Sequence, residues 1–201
     1  RRKSLCFDLE TTHTDSKKGE LVGLAFSYAP HSGFFVPCTD DTRQTRQILE
    51  EFRPIFEDRS IEKIGYNLKF DLSVLRWKGI MVKGRLFDTM IAASLTNPNM
   101  RCTVQDLSME LLDYETIKIT SLISENCGRK LTLRDVPLQQ VADYASENAD
   151  ITFQLSEILR PKLHDMNQEK VFYEIECPLI PALVEMEYEG IRLDVGVLRK
   201  L

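Results

Sequence analysis

The sequence predicts an α/β fold in which a mixed five-stranded sheet, three antiparallel strands plus parallel crossovers, is flanked by helices. Two observations predict it. Near the start of the chain, three apolar, β-rich runs are joined by short polar links, as in an antiparallel meander. Further on, brief strand-like runs alternate with segments of helical periodicity, as in right-handed parallel crossovers.

Ser4–Glu10 (SLCFDLE) opens as a strand, apolar first and alternating toward its end. The polar TTHTDSKKGE separates it from a second strand at Leu21–Tyr28, and the turn at Pro30–Gly33 leads to a third at Phe34–Pro37. From Asp41 to Asp58 the residues Ile48, Leu49, Phe52, Ile55 and Phe56 recur at helical spacing, with Asp40 or Asp41 available as the cap. Ile61–Tyr66 reads as a short strand, and Asn67-Leu68-Lys69-Phe70-Asp71 begins a helix that carries Leu72, Leu75 and Trp77. Gly79–Val82 (GIMV) is expected to be another strand. Phe87-Asp88-Thr89-Met90 leads into a helix through Leu95 with Asp88 as its cap; because Asp88 sits at a strand-to-helix junction, a supporting role beside the site is the alternative. Thr103–Asp106 opens a helix through Leu112, a shorter helix covers Ile119–Glu125, and the loop 126–130 carries Arg129 and Lys130. A long helix spans Pro137–His164, bent or broken at Pro161. Another spans Glu169–Glu189 and ends at Gly190, followed by a strand-like piece and the start of a helix.

The 201 residues suffice for one good core and the beginning of a second unit. A net charge of −5 excludes a broadly basic surface, so any grip on nucleic acid has to be local. The five cysteines are scattered and never form CxxC, and the three histidines are equally dispersed. Both patterns argue against a zinc knuckle, a disulfide frame or a histidine relay, and they suit reduced thiols in the cytoplasm. No apolar run is long enough to span a membrane. The chain begins with Arg1 rather than Met and reads as a piece of a larger polypeptide.

Asp8 and Glu10 are two residues apart, so a strand places both carboxylates on one face. Such a pair is either two solvated acids at a strand end or half of a divalent-metal site, and further acids arriving from elsewhere decide between the two. Three stretches supply them in order: FDLE at Phe7–Glu10, NLKFD at Asn67–Asp71 and YASEN at Tyr144–Asn148. They resemble the three exonuclease motifs of the 3'-5' exonucleases that carry four acids and a tyrosine. The similarity is greatest to the proofreading domains of family A DNA polymerases such as bacterial DNA polymerase I. FDLETT, LVGLAFS, IGYNLKFD, FDTM and YASENADIT all match in register, so the resemblance covers nearly the whole chain.

The resemblance implies a ribonuclease H-like exonuclease fold over residues 1–168, with 169–201 the start of a polymerase domain. It implies hydrolysis of 3'-terminal phosphodiesters of DNA, in proofreading during replication and repair, with two Mg²⁺ or Mn²⁺ ions. Asp8 would bridge the ions, Glu10 would bind one, and Asp71 would hold the other directly or through water. Tyr144 would orient the attacking water. Leu9, Thr11, Asn67, Phe70 and Tyr144 would contact the substrate, a single-stranded 3' end. The implied surroundings are a bacterial cytoplasm and a polymerase domain in the same monomeric chain. The chemistry favours these residue types, because hard divalent cations prefer carboxylate oxygens and a pair of them can activate water and relieve charge on the leaving oxygen.

The chain departs from the family pattern at two places. Asn148 stands where the third motif ends in Asp, so a metal ligand there would be an uncharged amide oxygen, weakening the metal and the catalysis. Glu147 and Asp150 point away from the Asn148 direction on a helix, so neither reaches the same ion, and Asp150 is expected to be a structural acid. Thr14 replaces a bulkier apolar side chain that wedges the terminal bases apart. Two further readings follow: a catalytically silent scaffold that keeps the fold for the polymerase, and an exonuclease on RNA like ribonuclease D.

Overall fold

The computed structural model describes residues 4–99, 101–123 and 131–199; the loop 126–130 with its two cations, and the end of the helix expected to reach Glu125, lie outside them. Strands β1 (Ser4–Thr11), β2 (Leu21–Ala29) and β3 (Ser32–Pro37) form the antiparallel meander. β4 (Glu62–Gly65) and β5 (Leu86–Asp88) add in parallel, giving the order β3-β2-β1-β4-β5. β1 is thus the central strand, and its two acids sit in the middle of the sheet. Seven consecutive buried residues from Leu21 to Ser27 show that β2 is covered on both faces, which explains its unbroken apolar run.

One face is closed by α1 (Thr42–Glu57), begun by the Asp41 carboxylate accepting the Arg43 N–H at 2.8 Å. Its Phe52 stacks on Phe26 at 4.8 Å between ring centres, and its Phe56 meets Phe7 edge-on at 5.1 Å. The other face is closed by the 28-residue α6 (Leu138–Asp165). Small residues allow its close approach: Ala25 packs with Ala145 and Ala149, and a Cβ added to Gly33 would lie 2.3 Å from the Ser146 carbonyl oxygen. Asp8 pairs across the ladder with Ala25 and Glu10 with Gly23, so both acids project to the α6 side.

Between β4 and β5 runs α2 (Leu68–Trp77), and after β5 come α3 (Thr89–Thr96), α4 (Val104–Leu112) and α5 (Ile119–Leu122). Beyond α6, a one-turn α7 (Glu169–Val171) runs through a π-helical turn at Phe172–Glu176 into α8 (Cys177–Glu189), and α9 (Val195–Leu198) follows. α8 lies along α2, tied by Arg76 to Glu185 at 2.6 Å and Lys69 to Glu187 at 2.5 Å, while Ile180 and Val184 join the main core.

Four expectations are corrected. Gly79–Val82 is not a strand: Gly79 turns the chain at φ 79° as α2 ends, Gly84 turns it again at φ 95°, and the fifth strand is Leu86–Asp88. α6 continues through Pro161 to Asp165, anchored by buried Leu159 and Leu163. The helix predicted over 169–189 is not regular. Pro178 lacks the amide that would bond the Glu174 carbonyl, and the preceding turn widens. Residues 191–194 form no strand, and Ile191 is exposed. Among the described residues, no helix is long and apolar enough to cross a membrane.

Lys63 is fully buried in β4, its ammonium donating to the carbonyls of Asp58 and, at 2.6 Å, Lys83. Burial pushes its pKa down to about 8. The native state therefore releases this proton before the unfolded chain does, and native stability rises with pH between about 8 and the ordinary lysine value of about 10.4. Urea titrations across that window are expected to show the wild type gaining on Lys63→Met, and a pH-independent difference would refute the assignment. Gly33→Ala is expected to cost about 1–3 kcal/mol, read as a lower urea midpoint at unchanged slope, because the helix backbone leaves no room for a methyl group.

Candidate active site

Each predicted acid is delivered by a regular element. β1 presents Asp8 and Glu10, the first turn of α2 presents Asp71, and successive turns of α6 present Tyr144 and Asn148 on one face. The Leu9 backbone N–H sits between the first two elements, donating at 3.1 Å to Asp8 Oδ1 and at 3.2 Å to Asp71 Oδ1. This shared donor brings the two carboxylates together across 62 residues of sequence. Asp71 is 2% exposed, Glu10 7% and Asn148 7%.

The electrostatics are those of carboxylates crowded in a dry place. Burial pushes Asp8 up to about 6, opposed by the Leu9 N–H. Glu10 is raised by burial and then by the Asp8 charge, and Asp71 by burial and then by Asp8, with smaller contributions from Asp88 and Glu10. Tyr144 is buried, and its phenol is pushed well up by burial and then by Glu10 and Asp8, while a hydrogen bond with the Asn148 side chain opposes the shift. Asp8, Glu10, Asp71 and Tyr144 thus converge, and Asn148 is linked to them through Tyr144. Asn148 Oδ1 is buried and has no hydrogen-bond partner among the described residues, an acceptor aimed at no group of the protein itself.

Of the predicted substrate contacts, the Leu9 side chain belongs to the core, and only its backbone reaches the acids. Thr11 donates through Oγ1 to the His13 carbonyl at 2.8 Å. Asn67 precedes α2 in the left-handed region at φ 55°, and Phe70 is half-buried beside Asp71. Glu147 and Asp150 are structural: Glu147 accepts from the Tyr114 hydroxyl and the Ile117 N–H, each at 2.7 Å, and Asp150 accepts from the Ser32 N–H at 3.0 Å. The Leu9 amide escaped sequence reasoning because a backbone donor leaves no residue-type signal.

Among the described residues, no three His, Cys, Asp or Glu side chains are already gathered as a metal cage. The donor set nevertheless suits a hard cation: Asp8, Glu10 and Asp71 offer only oxygen and repel one another, and Asn148, whose side chain bonds the Tyr144 that faces them, keeps a neutral oxygen unpartnered among the described residues.

A five-stranded mixed sheet carrying acids on its central strand, closed by a helix with a tyrosine, is the ribonuclease H-like exonuclease fold. It is shared with Brucella melitensis NrnC with bound Mg²⁺, which superposes at a TM-score of 0.75 and 22% identity over 94% of this chain and 87% of that one. The 3'-5' exonuclease family of DNA polymerase A matches residues 1–164, and the chain belongs to that family. DNA polymerase I of Borreliella burgdorferi is 31% identical over 202 residues, covering 99% of this chain and 22% of the relative. DNA polymerase I of Chloroflexus aurantiacus is 34% identical over 209 residues, covering 98% of this chain and 21% of the relative. The chain spans about a fifth of the length of these relatives.

Asn148→Asp places a further carboxylate in a cluster whose members already hinder one another's ionisation. At pH 7 in EDTA, its melting temperature is expected to fall below wild type by roughly 2–4 °C for each kcal/mol of repulsion, and added Mn²⁺ is expected to reverse the loss. An unchanged melting temperature in EDTA would show that Asn148 does not face the acids.

Proposed function

We propose that this chain is a 3'-5' exonuclease that hydrolyses the terminal phosphodiester of a single-stranded DNA 3' end with the help of two divalent ions, at a rate lowered by Asn148. The observation that carries the reading is the crowding of Asp8, Glu10 and Asp71 into one place, with Tyr144 facing Asp8 and Glu10 and bonded to the Asn148 side chain. Asp8, Glu10 and Asp71 would hold the ions, and Asn148 would complete the set with an amide oxygen. When bound, Mg²⁺ or Mn²⁺ would lower the pKa of attacking water and neutralise charge on the leaving 3' oxygen. Tyr144 keeps its proton at neutral pH, since its phenol is shifted upward, and serves as a fixed hydroxyl that orients the water rather than as a base.

The backbone around Leu9 and the side chains of Thr11, Asn67 and Phe70 line the approach of the terminal nucleotide. A single-stranded end suits the site because the reacting phosphate must leave the duplex before it can reach buried acids. By relation to bacterial DNA polymerase I, the setting is proofreading in replication and repair, in the cytoplasm, with residues 1–168 forming the exonuclease domain and 169–201 leading into the polymerase domain of one monomeric chain. Asn148 favours one second reading, a silent domain retained as scaffold.

Digestion of a 5'-labelled single strand in Mg²⁺ and in Mn²⁺ separates the two. The expected result is slow, metal-dependent shortening that is abolished by Asp8→Ala and raised roughly tenfold or more by Asn148→Asp, the scale of about 1.4 kcal/mol from one restored charge. If the wild type and Asn148→Asp are both inert, the scaffold reading holds. The same series on an RNA strand tests the sugar preference.

A further inference from the structure

Asp88 ends β5 and caps α3, as its position in the sequence predicts: its Oδ1 accepts the N–H groups of Met90 at 3.0 Å and Ile91 at 3.3 Å. Those two bonds meet the needs of an N-cap. The carboxylate does more, however. Oδ1 also accepts the Asn67 N–H at 3.2 Å, and Oδ2 accepts the Leu68 N–H at 2.7 Å, the shortest of the four. Asn67 and Leu68 are the cap and first residue of α2, the helix that carries Asp71 three residues further on. One carboxylate, 1% exposed, thus receives backbone donors from the starts of two helices, and its charge lies at the positive end of both.

The surroundings give this contact leverage. α2 starts abruptly from a left-handed Asn67, a conformation unfavourable for most side chains and tolerated by Asn. The Asn67 side chain makes no cap bond to its own helix, so Asp88 serves as the cap from another strand. The next residue pins the same corner, with Thr89 Oγ1 donating to the Gly65 carbonyl at 3.1 Å at the end of β4. On its far side, α2 is located by Asp71 Oδ1 receiving the Leu9 N–H.

We infer that Asp88 is a positioning residue of the exonuclease site, a pin that sets the start of α2 and so holds Asp71 against β1. The inference deepens the exonuclease reading and rests on it for its functional meaning, while the pinning itself is a property of the fold. A residue present only to cap α3 would be replaceable by any good capping side chain. The full pin uses both carboxylate oxygens, Oδ1 shared between the two helices and Oδ2 on Leu68 alone.

Asp88→Ser separates the two roles, because a serine hydroxyl caps α3 but cannot reach the amides of both helices. Asp88→Asn is the conservative variant. Its one carbonyl oxygen can keep the Oδ1 set, while its NH₂ would oppose the Leu68 donor. Thr103→Ala, which removes the cap of α4 (Thr103 Oγ1 accepting from the Asp106 N–H), is the control for lost capping elsewhere. The measurement is residue-resolved amide hydrogen exchange in the metal-free protein. In Asp88→Ser, the Leu68 and Leu9 amides are expected to exchange at least tenfold faster, with Met90 and Ile91 close to wild type. Asp88→Asn is expected to fall between, and Thr103→Ala to leave Leu9 unchanged. Unchanged Leu9 exchange in Asp88→Ser, or acceleration spread evenly over all elements, overturns the inference. Calorimetric Mn²⁺ titration of the same proteins is expected to show affinity lost in Asp88→Ser by roughly 10–100-fold. A wild type that binds no Mn²⁺ defeats the exonuclease reading, and the exchange data still decide the pin.

Discussion

The structure is arranged around a repulsion. Asp8, Glu10 and Asp71 occupy one nearly dry corner, and each makes its neighbours harder to ionise. A chain left to minimise its free energy keeps such groups apart. Here β1 fixes two of them on one face by the alternation of a strand, and α2 carries the third to the same place. The compensation visible within the protein is small: a backbone N–H from Leu9 shared by Asp8 and Asp71. The surrounding fold therefore has to be firm enough to hold an arrangement that its own electrostatics oppose.

That firmness comes from close packing of small residues. Gly33, Ala25, Ala145 and Ala149 let α6 lie almost against the sheet, so the helix brings Tyr144 up to Asp8 and Glu10. The neighbouring acids on the same helix have other work. Glu147 holds the segment after α4 through Tyr114 and Ile117, and Asp150 holds the β2–β3 turn through Ser32. Three functions share one helix because each faces a different direction around its axis.

Much of this was legible in the residues. β1 alternates toward its end, β2 is one unbroken apolar run and α1 has clear helical periodicity, and Asp8, Glu10, Asp71 and Tyr144 stand out as a set once their motifs are taken in order. Gly79–Val82 misled because an apolar tetrad resembles a strand, whereas its position was decided by left-handed turns at Gly79 and Gly84 that the tetrad does not reveal. β5 is three residues long, too short for alternation to register. The widened turn before Pro178 depends on where a missing amide falls within the helix, which hydrophobic pattern does not encode. At the site, side chains could be nominated from the sequence, but the contributions of main-chain groups, the Leu9 amide and the first amides of α2, became visible only once distant segments were placed side by side.

The pairing of α8 with α2 gives the site an external handle. Arg76–Glu185 and Lys69–Glu187 are partly solvent-exposed ion pairs that dissolved salt weakens, whereas the apolar seam of Ile180 and Val184 is indifferent to salt. The joint thus has a compliant rim around a stiff centre. Lys69 and Arg76 bracket Asp71 along α2, so the two residues that bind α8 lie on either side of a carboxylate more than a hundred residues earlier in the chain.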